Sequence, residues 1–264
     1  MTRYIHGTSQ EEQGRLSLLN DITNASFINF LGDLSDKTIC DFGCGTGHLI
    51  DNIVSRFPSA RPTGIDISLE QLKIAEDIIK KNPRVTLLNA DALKNTLPDN
   101  YFDVTYARYL LEHLSDPKRA AREMLRVTKE GGQIIAQEND LHNVIFYPDI
   151  AGFTTVLEQF CLFQVRLGGD PYIGRKLYDI FKEAGASAIR LSYEPEIYTE
   201  DEPERFQSWL ENTLQILLGA REEMLRKKIV DKIIFSTVIA NIKNRIENPR
   251  GVALFHWNRV RAIK

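Results

Sequence analysis

Asp41, Gly43, Gly45 and Gly47 fall at alternate positions within ICDFGCGTGHLI (39–50). Glycines at this density let a ligand lie against bare backbone, and a nearby carboxylate favours a cationic group. The run Ile39 to Phe42 before them reads as a short buried strand, and Leu49, Ile50, Ile53 and Val54 after them recur at helical spacing. The glycines therefore occupy a strand-to-helix turn. A P-loop needs a lysine for its phosphates, yet no lysine or arginine lies between Lys37 and Arg56. A dinucleotide fingerprint counted from Gly43 needs its third glycine at position 48, which is His48. A tight packing turn is the alternative to a ligand site.

Two further acids stand at strand ends. Asp66 closes a second strand in GIDIS, where two carboxylate oxygens can hold vicinal ribose hydroxyls, with Ile67 beside it. Asp66 alone suits a nicotinamide dinucleotide equally well. Asp91 follows a third strand in NADAL, with Ala92 next, where a carboxylate can accept from an adenine amino group; alone it would be a turn former.

These residues need a scaffold that brings strand ends together. Arg61 to Ile67, Arg84 to Leu88, Tyr101 to Ala107 and Gln133 to Gln137 read as strands alternating with helices, with Ser68–Gln71 as a capping box and Asp116-Pro117 as a helix start. Alternation of this kind implies a parallel sheet covered on both faces, with ligands outside the carboxyl ends of its strands. Beyond residue 140 the pattern turns helical: Phe153 to Leu167, Ile173 to Ala184 with Gly185 as C-cap, Phe206 to Leu218 and Arg221 to Ile246. Ala188 to Tyr193 and Val252 to Ile263 read as strands.

The 264 residues carry 43% hydrophobic and 26% charged residues and no linker-like tract, as expected of a globular enzyme of one domain. A formal net charge of −3 argues against a nucleic-acid partner. The cysteines Cys40, Cys44 and Cys161 have no metal-ligand spacing and fit a reducing cytoplasm. The polar start MTRYIHGTSQEEQ lacks a signal-peptide core, and no apolar run approaches the ~18 residues of a membrane span.

The spacing D-x-G-x-G-x-G from Asp41 to Gly47 resembles the first motif of class I S-adenosylmethionine-dependent methyltransferases. The segment FDVTYARYLLEHLSDPKRAAREMLRVTKEGGQI is similar to the corresponding region of the ubiquinone- and menaquinone-biosynthesis type, except for Lys129-Glu130 where that family usually has Lys-Pro. YIHGTSQEEQGRL, FYPD and GGDPYIGRKL resemble a small-molecule subgroup with a helical cap. The resemblance implies a Rossmann-like α/β/α fold of three layers, with seven strands, mostly parallel, and the last antiparallel. Its parts would be an N-terminal helical segment (1–36), a cofactor core (37–140), a cap and substrate region containing a sixth strand (141–250) and a terminal strand (251–264). It implies S-adenosylmethionine as cofactor and S-adenosylhomocysteine as product. The cofactor would be bound by Asp41, Gly43, Gly45, Gly47, Asp66, Ile67, Asp91 and Ala92, with Tyr4, Arg15 or Arg108 at the methionine carboxylate.

Methyl transfer needs alignment more than acid or base help, so a missing catalytic triad does not argue against an enzyme. The expected reaction methylates nitrogen or oxygen of a small molecule in preference to carbon. If a base is used, His113, Glu138 and Asp140 are the candidates, ahead of His142 and Tyr147; for each the alternative is a buried hydrogen bond, a cap or a salt bridge. No acid follows the fourth strand, where Tyr106-Ala107-Arg108 stands, so a catalytic magnesium is not expected. The helices from 203 to 247 suit a lid or a homodimer face. A nicotinamide-dependent oxidoreductase and a binding module without turnover are the competing readings.

Overall fold

The computed structural model describes residues 10–80 and 82–264. In chain order it contains α1 (Gln10–Leu31), β1 (Thr38–Phe42), α2 (His48–Arg56), β2 (Arg61–Asp66), α3 (Leu69–Ile79), β3 (Thr86–Asn89), β4 (Phe102–Arg108), α4 (Pro117–Val127) and β5 (Thr128–Glu138). There follow β6 (Ile145–Tyr147), α5 (Phe153–Arg166), α6 (Leu177–Ala184), β7 (Ser187–Thr199), α7 (Pro203–Arg226), α8 (Lys232–Glu247) and β8 (Val252–Ile263).

The strands form one mixed sheet in the order β3-β2-β1-β4-β5-β8-β6, with β7 on the other side of β8. β1 to β5 pair in parallel, and β8 runs antiparallel to each of its neighbours β5, β6 and β7. The expectation of an antiparallel last strand is met. The expected count of seven is corrected to eight among the described residues. β5 pairs with residues 258–263 of β8 and stops, which leaves the start of β8 with an open edge; β6 takes that edge through Ile145 opposite Leu254 and Tyr147 opposite Val252.

Side chains alternating along the central strands build two cores. Ile39, Val104, Tyr106 and Ile135 pack with Phe27 and Leu31 of α1 and Leu49 and Ile53 of α2. Cys40, Phe42, Ala107, Ile134 and Ala136 pack on the other face with Ala120 and Met124 of α4 and Phe181 of α6. The three layers follow from this. A separate aromatic core joins α5, α7 and α8 to β8 through Phe160, Trp209, Phe235, Phe255 and Trp257.

Local signals behave as their chemistry dictates. Asp116 accepts from the Arg119 amide at 3.0 Å with Pro117 at the first helical position, and Gly185 ends α6 at φ +103°. Ser68 accepts from the Gln71 amide at 3.3 Å, but the Gln71 side chain does not reach back, so only half of the capping box forms. The stretch from 203 to 247 breaks later than expected. α7 runs on to Arg226, Lys228 turns at φ +53°, and Asp231 starts α8 by accepting from the amides of Ile233 and Ile234. Among the described residues no helix is long and apolar enough to cross a membrane.

The start of α2 is pressed against α3. Gly47 holds φ +78°, and a Cβ there would lie 2.9 Å from Cβ of Ala75 and 3.0 Å from Cδ1 of Ile79. Gly47→Ala should therefore lower unfolding stability by about 1–3 kcal/mol, read from urea titrations.

Candidate functional site

A cavity of about 600 Å³, within the range of small-molecule pockets, opens at the carboxyl ends of β1 to β4 and is covered by α5, α7 and β8. Asp41, Gly43, Gly45, Asp66, Ile67, Asp91, Ala92, Arg108 and His113 all line it. Residues far apart in sequence thus converge because their strands are neighbours and the turn after each strand opens on the same side.

The turn after β1 is clamped to β2. The Gly43 and Cys44 amides donate to the Ile65 carbonyl at 2.8 and 3.0 Å, and the Gly45 amide donates to Asp66 Oδ2 at 3.0 Å. Gly43 (φ +77°) has no room for a side chain, since a Cβ would meet Leu110 Cδ1 at 2.8 Å. A Cβ on Gly45 would have no atom within 4 Å, and this bare backbone is a wall of the cavity. Gly47 does not line the cavity; its place is the contact with α3.

Strand register places Asp41 beside Tyr106, whose hydroxyl donates to Asp41 Oδ2 at 2.9 Å. Burial pushes the Asp41 carboxyl up to about 7, opposed by the Tyr106 hydrogen bond and the Arg108 charge and assisted by Asp66. Asp66 accepts from the Ser68 amide at 2.8 Å as well as from Gly45, and burial outweighs these bonds to hold its carboxyl above the usual range. Asp91 accepts from the Leu93 amide at 2.8 Å. Arg108 donates to Asn20 and Thr23 of α1 and stacks over Phe27 and Tyr109, 5.4 and 5.1 Å from their ring centres. Tyr4 lies outside the described residues. Arg15 lies on α1, and its side chain is outside them too.

Two of the proposed bases are elsewhere. Glu138 and Asp140 do not line the cavity. The buried Glu138 carboxylate accepts from the amides of Leu110, Leu111 and Glu112 at 3.1, 2.8 and 3.4 Å, so it shapes the turn after β4. Burial, then the nearby Glu112 charge, raise its carboxyl well above the usual range. Asp140 caps the turn at His142 and forms a two-pronged ion pair with Arg175 at 2.5 and 2.7 Å. His142 packs edge-on against Tyr172, and Tyr147 is exposed on β6. Of the three, only His113 reaches the cavity.

The far end of the cavity was not anticipated. Glu112, 5% exposed, accepts from Asn139 Nδ2 at 3.0 Å and Gln164 Nε2 at 3.1 Å, and all three residues line the wall. Phe160, Trp209, Phe255, Trp257 and Tyr109, the last at φ +55°, line the same cavity. An acid inside the leucine-rich YLLEHL was the available signal, because an unexposed charge requires partners or a ligand.

Residues 40–136 match a family described as methyltransferase domain. That match, together with relatives named for methyltransferase activity, supports a class I S-adenosylmethionine-dependent methyltransferase domain over these residues. An uncharacterized methyltransferase of Schizosaccharomyces pombe is 27% identical over 73% of the chain and 75% of that protein. A ubiquinone biosynthesis O-methyltransferase of Nitrosomonas europaea is 35% identical over 39% of the chain and 44% of its own length. The chain thus spans three quarters of the first relative but less than half of the second. In fold it is similar to Haemonchus contortus phosphoethanolamine N-methyltransferase 2, solved with phosphomonomethylethanolamine and S-adenosylhomocysteine. That match has a TM-score of 0.55 and 18% identity, and covers 96% of this chain and 52% of that one.

The cavity, lined in part by residues outside 40–136, carries groups that suit the nucleoside end of such a cofactor. Asp66 and Asp91 stand along one side, Gly45 leaves a bare cradle, and Gln71 Oε1 is a buried acceptor on the same wall with no partner among the described residues. Removing the brace behind this wall has a defined consequence. Glu138→Ala should destabilise the protein by about 2–4 kcal/mol, because amides of 110–112 lose their acceptor; thermal and urea unfolding measure it.

Proposed function

We propose that this chain transfers the methyl group of S-adenosylmethionine to a nitrogen or oxygen of a small molecule, ahead of carbon. The observation that carries the reading is the convergence of Asp41, Asp66 and Asp91 on one cavity beside the Gly45 backbone. When bound, the cofactor supplies a methyl on a positively charged sulfur, and the transfer is an in-line displacement.

In this reading Asp66 takes the two ribose hydroxyls on oxygens already oriented by the Ser68 and Gly45 amides. Asp91 takes the adenine amino group, with Ile67 and Ala92 as apolar contacts, and Gln71 Oε1 accepts a further donor. Asp41 faces the ammonium of the amino-acid tail, and Arg108 faces its carboxylate, a role that Tyr4 and Arg15 would share. His113 is a proton acceptor at the wall, next to Glu112. The helices α5 and α7 and the aromatic core exclude water from the reacting atoms.

Asp66→Ala should weaken S-adenosylhomocysteine binding about a hundred-fold by calorimetry, since two hydrogen bonds to a charged group are lost; equal affinity in the mutant would sink the assignment. Asp41 adds a pH dependence. Burial pushes its carboxyl up to about 7, and only the ionised form attracts the ammonium. Cofactor affinity should therefore rise as pH increases toward 7, by up to about ten-fold per unit, and level off above it. Tyr106→Phe removes the hydrogen bond that favours ionisation, so the same titration should move to higher pH.

A further inference from the structure

We infer that the acceptor is an apolar, ring-bearing amine whose nitrogen is methylated at Glu112, an inference that rests on the methyltransferase reading above. The chamber beyond the nucleoside end is walled by Phe160, Trp209, Phe255 and Trp257, with Trp209 5.4 Å from Phe255 and 6.4 Å from Trp257 between ring centres. Such walls take apolar rings, and their faces favour a cation.

Glu112 lines the same cavity. Its oxygens accept from Asn139 and Gln164, and His113 Nε2 stands 3.6 Å away; no lysine or arginine pairs with it among the described residues. Two amide donors orient a carboxylate without neutralising it. Glu138, directly behind, adds negative charge or holds a proton, and supplies no counter-charge. Asn139 Oδ1, also on this wall, is a buried acceptor with no partner among the described residues. Glu112 thus offers a carboxylate held by two amides, and an ammonium supplies the positive charge that those amides do not. A phosphate or carboxylate acceptor is disfavoured by the same group, since it would bring a second negative charge to a buried one.

The chemistry balances at this site. The substrate ammonium gives its proton to the Glu112 carboxylate, and the nitrogen lone pair forms the new N–C bond as the S–C bond breaks. The electrons of that bond remain on sulfur, which becomes a neutral thioether, and the positive charge passes to the methylated nitrogen. Glu112 then returns the proton to solvent on product release.

The test uses the full-length protein saturated with S-adenosylhomocysteine and reads tryptophan fluorescence on titration with 1,2,3,4-tetrahydroisoquinoline or with isochroman, its neutral oxygen counterpart. The amine should bind at least about ten-fold more tightly, and Glu112→Gln should reduce the difference to about two-fold or less. Equal affinities in the wild type, including none for either probe, overturn the inference, as does an amine preference that survives Glu112→Gln. The wild-type comparison stands even if the variant does not fold. Calorimetry with S-adenosylhomocysteine on the same preparation separates the two readings. Retained nucleoside binding without amine preference removes only the acceptor assignment, whereas lost nucleoside binding removes the methyltransferase reading itself.

Discussion

The site depends on the fastening of the β1 tip to the β2 tip. Gly43 and Cys44 donate to the Ile65 carbonyl, and Gly45 donates to the Asp66 carboxylate itself. The acid that would take the ribose is thus fixed by the same turn that would support the amino-acid tail. Positive φ favours glycine at 43 and 45; at 43 a Cβ would also press on Leu110, and at 45 the bare backbone lines the cavity. Leu110 belongs in turn to the segment that Glu138 holds, so the β1 turn and the β4 turn are packed against each other.

Several acidic side chains share the buried interior. Asp41 and Asp66 have carboxyls raised by burial, and Glu112 lies beside Glu138, whose carboxyl is raised further. Carboxylates placed this way weaken the empty protein and strengthen its attraction for cations, which is the usual compromise of a binding site. A cofactor with an ammonium and a sulfonium, followed by an ammonium acceptor, would distribute positive charge along the length of the cavity.

Much of this was legible in the sequence, for reasons of range. The alternation of strands with helices, the caps at Ser68, Asp116 and Gly185 and the glycine turn are local patterns, and their residues adopt the expected conformations. Asp41, Asp66 and Asp91 could be placed together because parallel strands put their ends in register. Glu138 could not be placed, because its partners are 26 to 28 residues away and are backbone amides, which carry no residue-type signal. β6 is three residues long, too short for an alternating pattern, and exists because β8 offers it an edge. The break between α7 and α8 was misplaced although Asp231 is a recognisable cap, since the apolar spacing continues through Ile229 and Val230. The aromatic chamber comes from α5, α7 and β8 together, and no single stretch of sequence displays it.

β8 bridges β5, β6 and β7 while donating Phe255 and Trp257 to the aromatic core. It occupies positions 252–263, after every element it joins. On the ribosome, the earlier strands can therefore pair before it emerges, but the chamber acquires its back wall only once β8 has followed them out. A nascent chain would hold its nucleoside half formed and its apolar half open, with Trp209 and its neighbours exposed to chaperones until the final strand docks.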